Sequence, residues 1–115
     1  MCRRGEPMKL EPPIQIAQRK LTHYLLVFRD KDDKSNYLAL AGYTLENWFV
    51  LEQDLLRLSD LDDAVFESED AYGPSFSIIG ELQGPNGRLL RVKSIWKRDV
   101  DEEITKFITL YPPKQ

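Results

Sequence analysis

The spacing of apolar residues changes once along the chain, near Ser59, and this change constrains the fold more than any other feature. Before Ser59, apolar side chains recur at steps of three and four, which is typical of one face of a helix. After Ser59 they alternate with polar side chains, which is typical of a strand with one buried face. This order predicts an α+β fold, in which N-terminal helices pack on one face of a four-stranded antiparallel β-meander.

The first half of the chain predicts two amphipathic helices. In residues 17–28 one helical face would carry the apolar side chains Ala17, Leu21, Tyr24, Leu25 and Phe28. In the second helix, for which Thr44 would be the N-cap, that face would carry Trp48, Leu51, Leu55 and Leu58. Between the helices, residues 29–35 form a loop of mixed charge, and a short apolar segment ends at Gly42, a residue type common after a helix.

Four strands are predicted in the second half. They cover residues 65–70, 75–82, 89–97 and 104–111. The turn at Asn86-Gly87 tolerates the positive φ that a tight hairpin requires. Pro112-Pro113 ends the last strand, because proline has no N–H to donate to a neighbouring strand.

The length of 115 residues suits one domain. Residues 1–13 contain three prolines and show no periodicity, so we expect a flexible arm there and a single domain over residues 14–113. The lone cysteine, Cys2, excludes an intramolecular disulfide and a cysteine zinc site, and we predict neither a metal ion nor a cofactor. No apolar run approaches the ~18 residues of a membrane span, so we expect a cytoplasmic protein without a membrane segment.

Charge is distributed unevenly along the chain. The formal net charge is −3, yet the segment from Arg88 to Arg98 holds five basic residues and no acidic one, and residues 60–70 hold six acidic residues and no basic one. On the third predicted strand Arg91, Lys93 and Lys97 share a face, because side chains alternate with period two. We call these three residues the basic row. The slight acidity of the whole chain therefore excludes nucleic-acid binding over the entire surface, but not binding at this row.

A nucleic-acid site is one interpretation of the basic row, which points outward if the alternate residues of its strand pack on the helices. Thr109 and Tyr111 would lie beside the row if the last strand buries its other set, Ile104, Lys106, Ile108 and Leu110. Arginine and lysine can hold a phosphate, a tyrosine ring can stack on an unpaired base, and threonine or tyrosine can donate hydrogen bonds. Cations can also stabilise the charge that grows on a scissile phosphate.

The alternative interpretation of the basic row is structural. Lysines and arginines on a solvated strand face suppress edge-to-edge association and pair with acidic residues on a neighbouring strand. His23, the only histidine, has no carboxylate at a recognisable spacing, so it is interpreted as a structural residue rather than a general base.

Several segments resemble an uncharacterised family of small bacterial domains. Residues 82–88 (LQGPNGR), 92–96 (VKSIW) and 106–112 (KFITLYP) are similar to that family's closing pattern GP(N/D)GR, V.(T/S)(V/I)W and (R/K)F(V/I)TAYP, and residues 20–26, 33–35 and 42–48 agree with it as well. The resemblance implies a toxin-like protein encoded beside a small partner, as in toxin–antitoxin pairs. The order of helices and strands is also similar to the barnase–colicin–RelE class of small ribonucleases, which would nominate Lys34, Arg88 and Thr109 as catalytic. Trp96 matches the pattern too, but is expected in the core.

These observations lead to three expectations. The first is a toxin-like domain that binds RNA through Arg91, Lys93 and Tyr111, and cleaves it with Arg88, Thr109 and Lys34. The second is a non-catalytic protein-interaction module that presents the sheet or its acidic first strand to an antitoxin or another neighbouring-gene protein. The third, a DNA-processing accessory factor, depends on the basic strand alone.

Overall fold

A single sheet with the strand order β1-β5-β4-β3-β2 organises the computed structural model, which describes residues 8–28, 30 and 34–113. The strands are β1 (Ile14–Gln15), β2 (Val65–Asp70), β3 (Gly73–Gln83), β4 (Leu89–Asp99) and β5 (Ile104–Tyr111). The α+β class and the antiparallel meander β2–β5 are confirmed. The predicted number of four strands is wrong, because β1 adds a fifth that pairs in parallel with β5. A strand of two residues is too short to show a period in the sequence.

The first predicted helix is shorter than expected and changes its geometry halfway. Helix α1 (Gln18–Lys20) continues into a π-helical segment, Leu21–Leu25, in which the Leu26 N–H donates to the Leu21 carbonyl at 3.0 Å. Leu21, Leu25 and Leu26 are buried as a result. The prediction that Phe28 belongs to the buried face is wrong, because its side chain is 68% exposed. The charged loop predicted after it lies partly outside the described residues.

Two further helices follow, α2 (Ser35–Ala39) and α3 (Trp48–Leu61). The prediction that Thr44 caps α3 is wrong, because the helix begins four residues later. Instead, the Asn47 side chain accepts a hydrogen bond from the Thr44 N–H (2.7 Å) and donates one to the Gly42 carbonyl (3.0 Å). Gly42 has a φ of 92°, so it turns the chain after α2 in a conformation that favours glycine.

The core lies between α3 and the inner face of the sheet, and Trp96 is at its centre. Trp96 is fully buried, as expected, and its ring packs edge-on against Phe107 with ring centroids 5.2 Å apart. Its indole N–H donates to the Ser94 hydroxyl (2.9 Å), which donates in turn to the Ile78 carbonyl (3.2 Å). The polar atoms of this part of the core are therefore satisfied.

A bulge in β5 changes which side chains face the core. Ile95 pairs with Thr109 and Trp96 with Phe107, so Ile108 is an extra residue on β5. The expectation that Ile104, Lys106, Ile108 and Leu110 form one buried set is therefore wrong: Thr105, Phe107 and Leu110 are the buried residues. Beyond the bulge, Thr109 and Tyr111 register with outward-facing residues of β4, as predicted.

Residues 8–13 pack on the domain, although the sequence assigned them to a flexible arm. Leu10 is buried, and Met8 forms a bridge to Ala64 at the start of β2. Thr105 holds the same segment, because its N–H donates to the Pro13 carbonyl (2.9 Å) and its hydroxyl to the Glu11 carbonyl (2.6 Å). The remainder of the predicted arm, including Cys2, lies outside the described residues.

Tyr43 gives the fold an expected weakness at alkaline pH. It is 1% exposed and donates to the Asp54 carboxylate at 2.6 Å, and its burial and this acceptor raise the pKa of Tyr43 far above its usual value. An unfolded tyrosine ionises near pH 10, so above that pH the unfolded state binds fewer protons and stability falls by up to ~1.4 kcal/mol per pH unit. Below that pH the contribution of Tyr43 is fully present.

Urea unfolding at about pH 8 and about pH 11 should show a steeper loss of stability for the parent chain than for Tyr43→Phe. Equal losses in the two proteins would contradict this prediction.

Candidate functional site

An open cleft lies between the helical segment and the free edge of β5. It has a volume of about 650 Å³ and is lined by Arg19, Lys20, His23, Tyr24, Ile108 and Thr109. The last pairing of β1 on β5 is Gln15 with Lys106, so the edge of β5 beyond Lys106 faces the helical segment rather than a strand. We call this the Thr109 cleft.

The π-helical segment places the cleft's ionisable side chains. Leu21 and Leu25 anchor it in the core, and His23 and Tyr24, which lie between them, line the cleft. Arg19 and Lys20 precede these two residues by four positions each, a spacing that places side chains on one side of a helix. Segments of π-helix frequently occur at functional sites, since the wider turn re-aims side chains that an α-helix would direct elsewhere.

The cleft is positively charged. Among the described residues that line it, none is acidic, and within those ranges neither Arg19 nor Lys20 makes an ion pair. The Lys34 ammonium adds a third cation, because it donates to the Tyr24 hydroxyl oxygen at 2.8 Å and lies 5.0 Å from the centre of the Tyr24 ring. An anion entering the cleft would therefore meet several cations along its described walls.

Most of the basic strand, by contrast, is already paired. Lys97 binds the Asp70 carboxylate, and this hydrogen bond holds the pKa of Asp70 below its usual range. Lys93 lies 3.8 Å from the Glu67 carboxylate on the same strand β2. The charges of Lys93 and Lys97 are therefore balanced in part by the acidic strand β2, which lies across β3, as the structural interpretation of the basic row expects.

The predicted catalytic residues fall into two groups. Thr109 lines the cleft, and Lys34 reaches it through the Tyr24 hydroxyl. Arg88 lies apart in the exposed turn between β3 and β4, where its N–H donates to the Asn86 side chain at 2.9 Å. It precedes Lys93 by five residues, which is about 16 Å along a strand at ~3.3 Å per residue.

The predicted substrate-binding residues share the outer face of the sheet. Lys93 pairs across strands with Tyr111, and its ammonium is 6.0 Å from the centre of the Tyr111 ring. Arg91 is exposed two residues from Lys93, and its backbone carbonyl accepts a hydrogen bond from the Tyr37 hydroxyl at 2.5 Å. Thr109 pairs with Ile95 on the same face, so Lys93, Thr109 and Tyr111 are neighbours.

Sequence reasoning missed most of this site. Arg19, Lys20 and Tyr24 were not nominated, and His23 was interpreted as structural. The available signal was the cluster of two cations, a histidine and a tyrosine within residues 19–24, but nothing in the sequence shows that this segment lies against the open edge of the last strand.

The described residues contain no group of histidine, cysteine, aspartate and glutamate side chains that could hold a metal ion. No helix among them has the length and apolar character that a membrane crossing requires.

Comparisons with known proteins agree with the fold. A family model for a domain of unknown function (DUF6883) matches residues 11–114. No curated protein sequence matches the chain. Among solved structures, the chain is similar to one chain of a contact-dependent growth inhibition toxin–immunity protein complex from Klebsiella pneumoniae 342, with 19% identity and a TM-score of 0.58 over 89% of this chain and 93% of that chain. At this identity the likeness shows a shared fold, and fold does not fix function.

Proposed function

We propose, for a chain that belongs to the family described as a domain of unknown function (DUF6883), that it is a toxin-like module that binds RNA in the Thr109 cleft and cleaves it there. The observation that carries the proposal is the composition of the cleft. Its described lining combines unpaired cations with a histidine, a tyrosine and a threonine, and none of these lining residues is acidic.

Binding of a phosphate is the first step. Arg19 and Lys20 stand on one wall, and Lys34 is fixed behind it by Tyr24. Charge-assisted hydrogen bonds to phosphate are roughly twice as strong as neutral ones, and Arg19 and Lys20 are available for them because neither makes an ion pair within the described residues. The hydroxyl of Thr109 can donate to the same phosphate from the opposite wall.

Cleavage is the second step, and RNA supplies its own nucleophile in the 2′-hydroxyl. That oxygen would bond to the adjacent phosphorus while the bond from phosphorus to the 5′-oxygen breaks. His23 is exposed in the cleft and would accept the 2′-hydroxyl proton, since an imidazole nitrogen is the most common general base in enzymes. The Tyr24 hydroxyl, held by Lys34, would donate a proton to the leaving 5′-oxygen. The cations would stabilise the charge that develops on the phosphate.

The fold is consistent with either a toxin-like or an immunity-like module. The similar solved structure is a chain of a toxin–immunity protein complex, which is consistent with a small protein that has a cognate protein partner.

A protein-interaction module is the second candidate function, and the observation that favours it is the edge strand β2. All six of its residues are exposed, and it carries the acidic side chains Glu67, Glu69 and Asp70. An open edge can accept a strand from a partner through backbone hydrogen bonds. Co-purification of a small protein with a chain that neither binds nor cleaves RNA would favour this candidate. The DNA-processing alternative has less support, because Lys97 of the basic row binds the Asp70 carboxylate.

The binding step is tested by Arg19→Ala/Lys20→Ala, measured by fluorescence anisotropy with a short single-stranded RNA over a salt series. We expect the affinity to fall about tenfold or more, because each lost contact is a hydrogen bond between charged groups. The slope of log affinity against log salt should become shallower by about 1.4, which is ~0.7 for each lost phosphate contact.

The matched control is Lys9→Ala/Arg57→Ala, which removes the same charge from cations that pair with Asp63 and Asp54. It should keep the parent affinity and slope. Expression of the parent chain should arrest growth and degrade RNA, and the cleft variant should relieve both. Equal behaviour of the two double variants, or harmless expression together with intact total RNA, would overturn the proposal.

A further inference from the structure

We infer that a second cavity, beside the Thr109 cleft, is a subsite for one unpaired nucleobase. The cavity has a volume of about 230 Å³ and is lined by Ile79, Lys93, Tyr111 and Pro113. The inference rests on the proposed function, because the base would belong to the RNA whose phosphate occupies the cleft.

The two cavities are linked by β5. Thr109 lines the cleft and Tyr111 lines the second cavity. These residues are two positions apart on one strand and register with neighbouring outward-facing positions of β4, so their Cα atoms lie about 7 Å apart at ~3.3 Å per residue. Successive nucleotides of an extended single strand are separated by a comparable distance. A strand that places a phosphate beside Thr109 can therefore place the next base beside Tyr111.

The lining of the second cavity suits a base. Tyr111 offers an aromatic face, and base–aromatic stacking is the main sequence-tolerant contact to single strands. Ile79 is 49% exposed on the outer face of the sheet and supplies an apolar floor, with Pro113 at the side. The volume is below the ~300–1,000 Å³ of sites for larger ligands, which fits a single ring system.

Lys93 gives the cavity a polar contact. Its ammonium is 6.0 Å from the centre of the Tyr111 ring and 3.8 Å from the Glu67 carboxylate. A partly exposed ion pair of that length is weak, so Lys93 can turn towards a bound base at small cost. Base edges present nitrogen and carbonyl acceptors to such a donor.

The test compares two strands with equal numbers of phosphates, a short single-stranded RNA and its abasic counterpart. The parent chain should prefer the strand with bases. Tyr111→Leu keeps an apolar side chain but removes the ring, and should lower the affinity for the base-bearing strand by about 5- to 100-fold while the abasic strand binds as before. Tyr111→Phe keeps the ring and should retain the preference.

A second variant, Ile79→Glu, places a carboxylate in the cavity from an exposed position and should remove the preference without unfolding the chain. Unfolding midpoints check the fold of each variant. An unchanged preference in Tyr111→Leu and Ile79→Glu, or equal losses on both strands, would overturn the subsite alone. Failure of the parent chain to bind either strand would overturn the proposed function as well.

Discussion

Replacing Trp96 with alanine is expected to lower the free energy of unfolding by about 3–5 kcal/mol, a large part of the ~5–15 kcal/mol that stabilises a typical domain. Trp96 is fully buried and packs on Phe107, so the shorter side chain leaves a cavity in the centre of the core. It also removes the indole donor from the hydrogen bond to Ser94. Urea unfolding followed by circular dichroism measures the change.

Trp48 provides the comparison, because it is the other tryptophan and only half-buried at the start of α3. Trp48→Ala should cost less than half as much as Trp96→Ala. Trp96→Phe should fall between them, since it keeps a ring in the core but not the N–H donor. Equal costs for the two alanine variants would show that Trp96 is not the centre of the core.

Replacing His23 with alanine is expected to slow RNA cleavage by about 10²- to 10⁴-fold while RNA affinity stays within about twofold, the effect of removing a group that transfers a proton. His23 is exposed, so its loss should leave the core intact, and the cleft keeps Arg19 and Lys20 for the phosphate. Single-turnover cleavage of a labelled RNA measures the rate, and anisotropy measures the affinity.

Two further variants make the His23 result specific. His23→Gln retains a hydrogen-bonding side chain that cannot act as a base, so it should be as slow as the alanine variant. Arg88→Ala should keep the parent rate, because the structure places Arg88 in a turn apart from the cleft. Full activity in His23→Gln would contradict the role of His23. A large loss of cleavage rate in Arg88→Ala would show instead that the turn takes part in catalysis, as the family resemblance implies for Arg88.

The strands were predicted more closely than the helical region, for a physical reason. Alternation over six to eleven residues and the turn at Asn86-Gly87 specify β2 to β5 without reference to the rest of the chain. Leu21 and Leu25 follow a helical spacing, and the sequence does not show that the hydrogen bonds of this segment span five residues instead of four. Strand β1 depends wholly on its partner β5.

Most of the candidate site could not be predicted from the sequence, because whether a cation is paired or available depends on residues distant in the chain. In the sequence, nothing distinguishes Lys93 and Lys97 from unpaired cations. Their ion pairs with Glu67 and Asp70 follow from a strand register that no local pattern fixes. Thr109 was nominated from its strand alone. The helical wall opposite Thr109 comes from residues more than eighty positions earlier in the chain.

Ile108, the extra residue in β5, is not needed for the alternation of inward and outward side chains along the strand. If Ile108 were deleted, Phe107 would be followed directly by Thr109, and the strand would alternate regularly with Leu110 still inward and Tyr111 still outward. A deletion inside a strand normally exchanges its two faces, but this one would preserve them. The core therefore does not require Ile108. What the residue supplies is a local bend and part of the wall of the Thr109 cleft, so its loss would change that wall without exchanging the two faces of the strand.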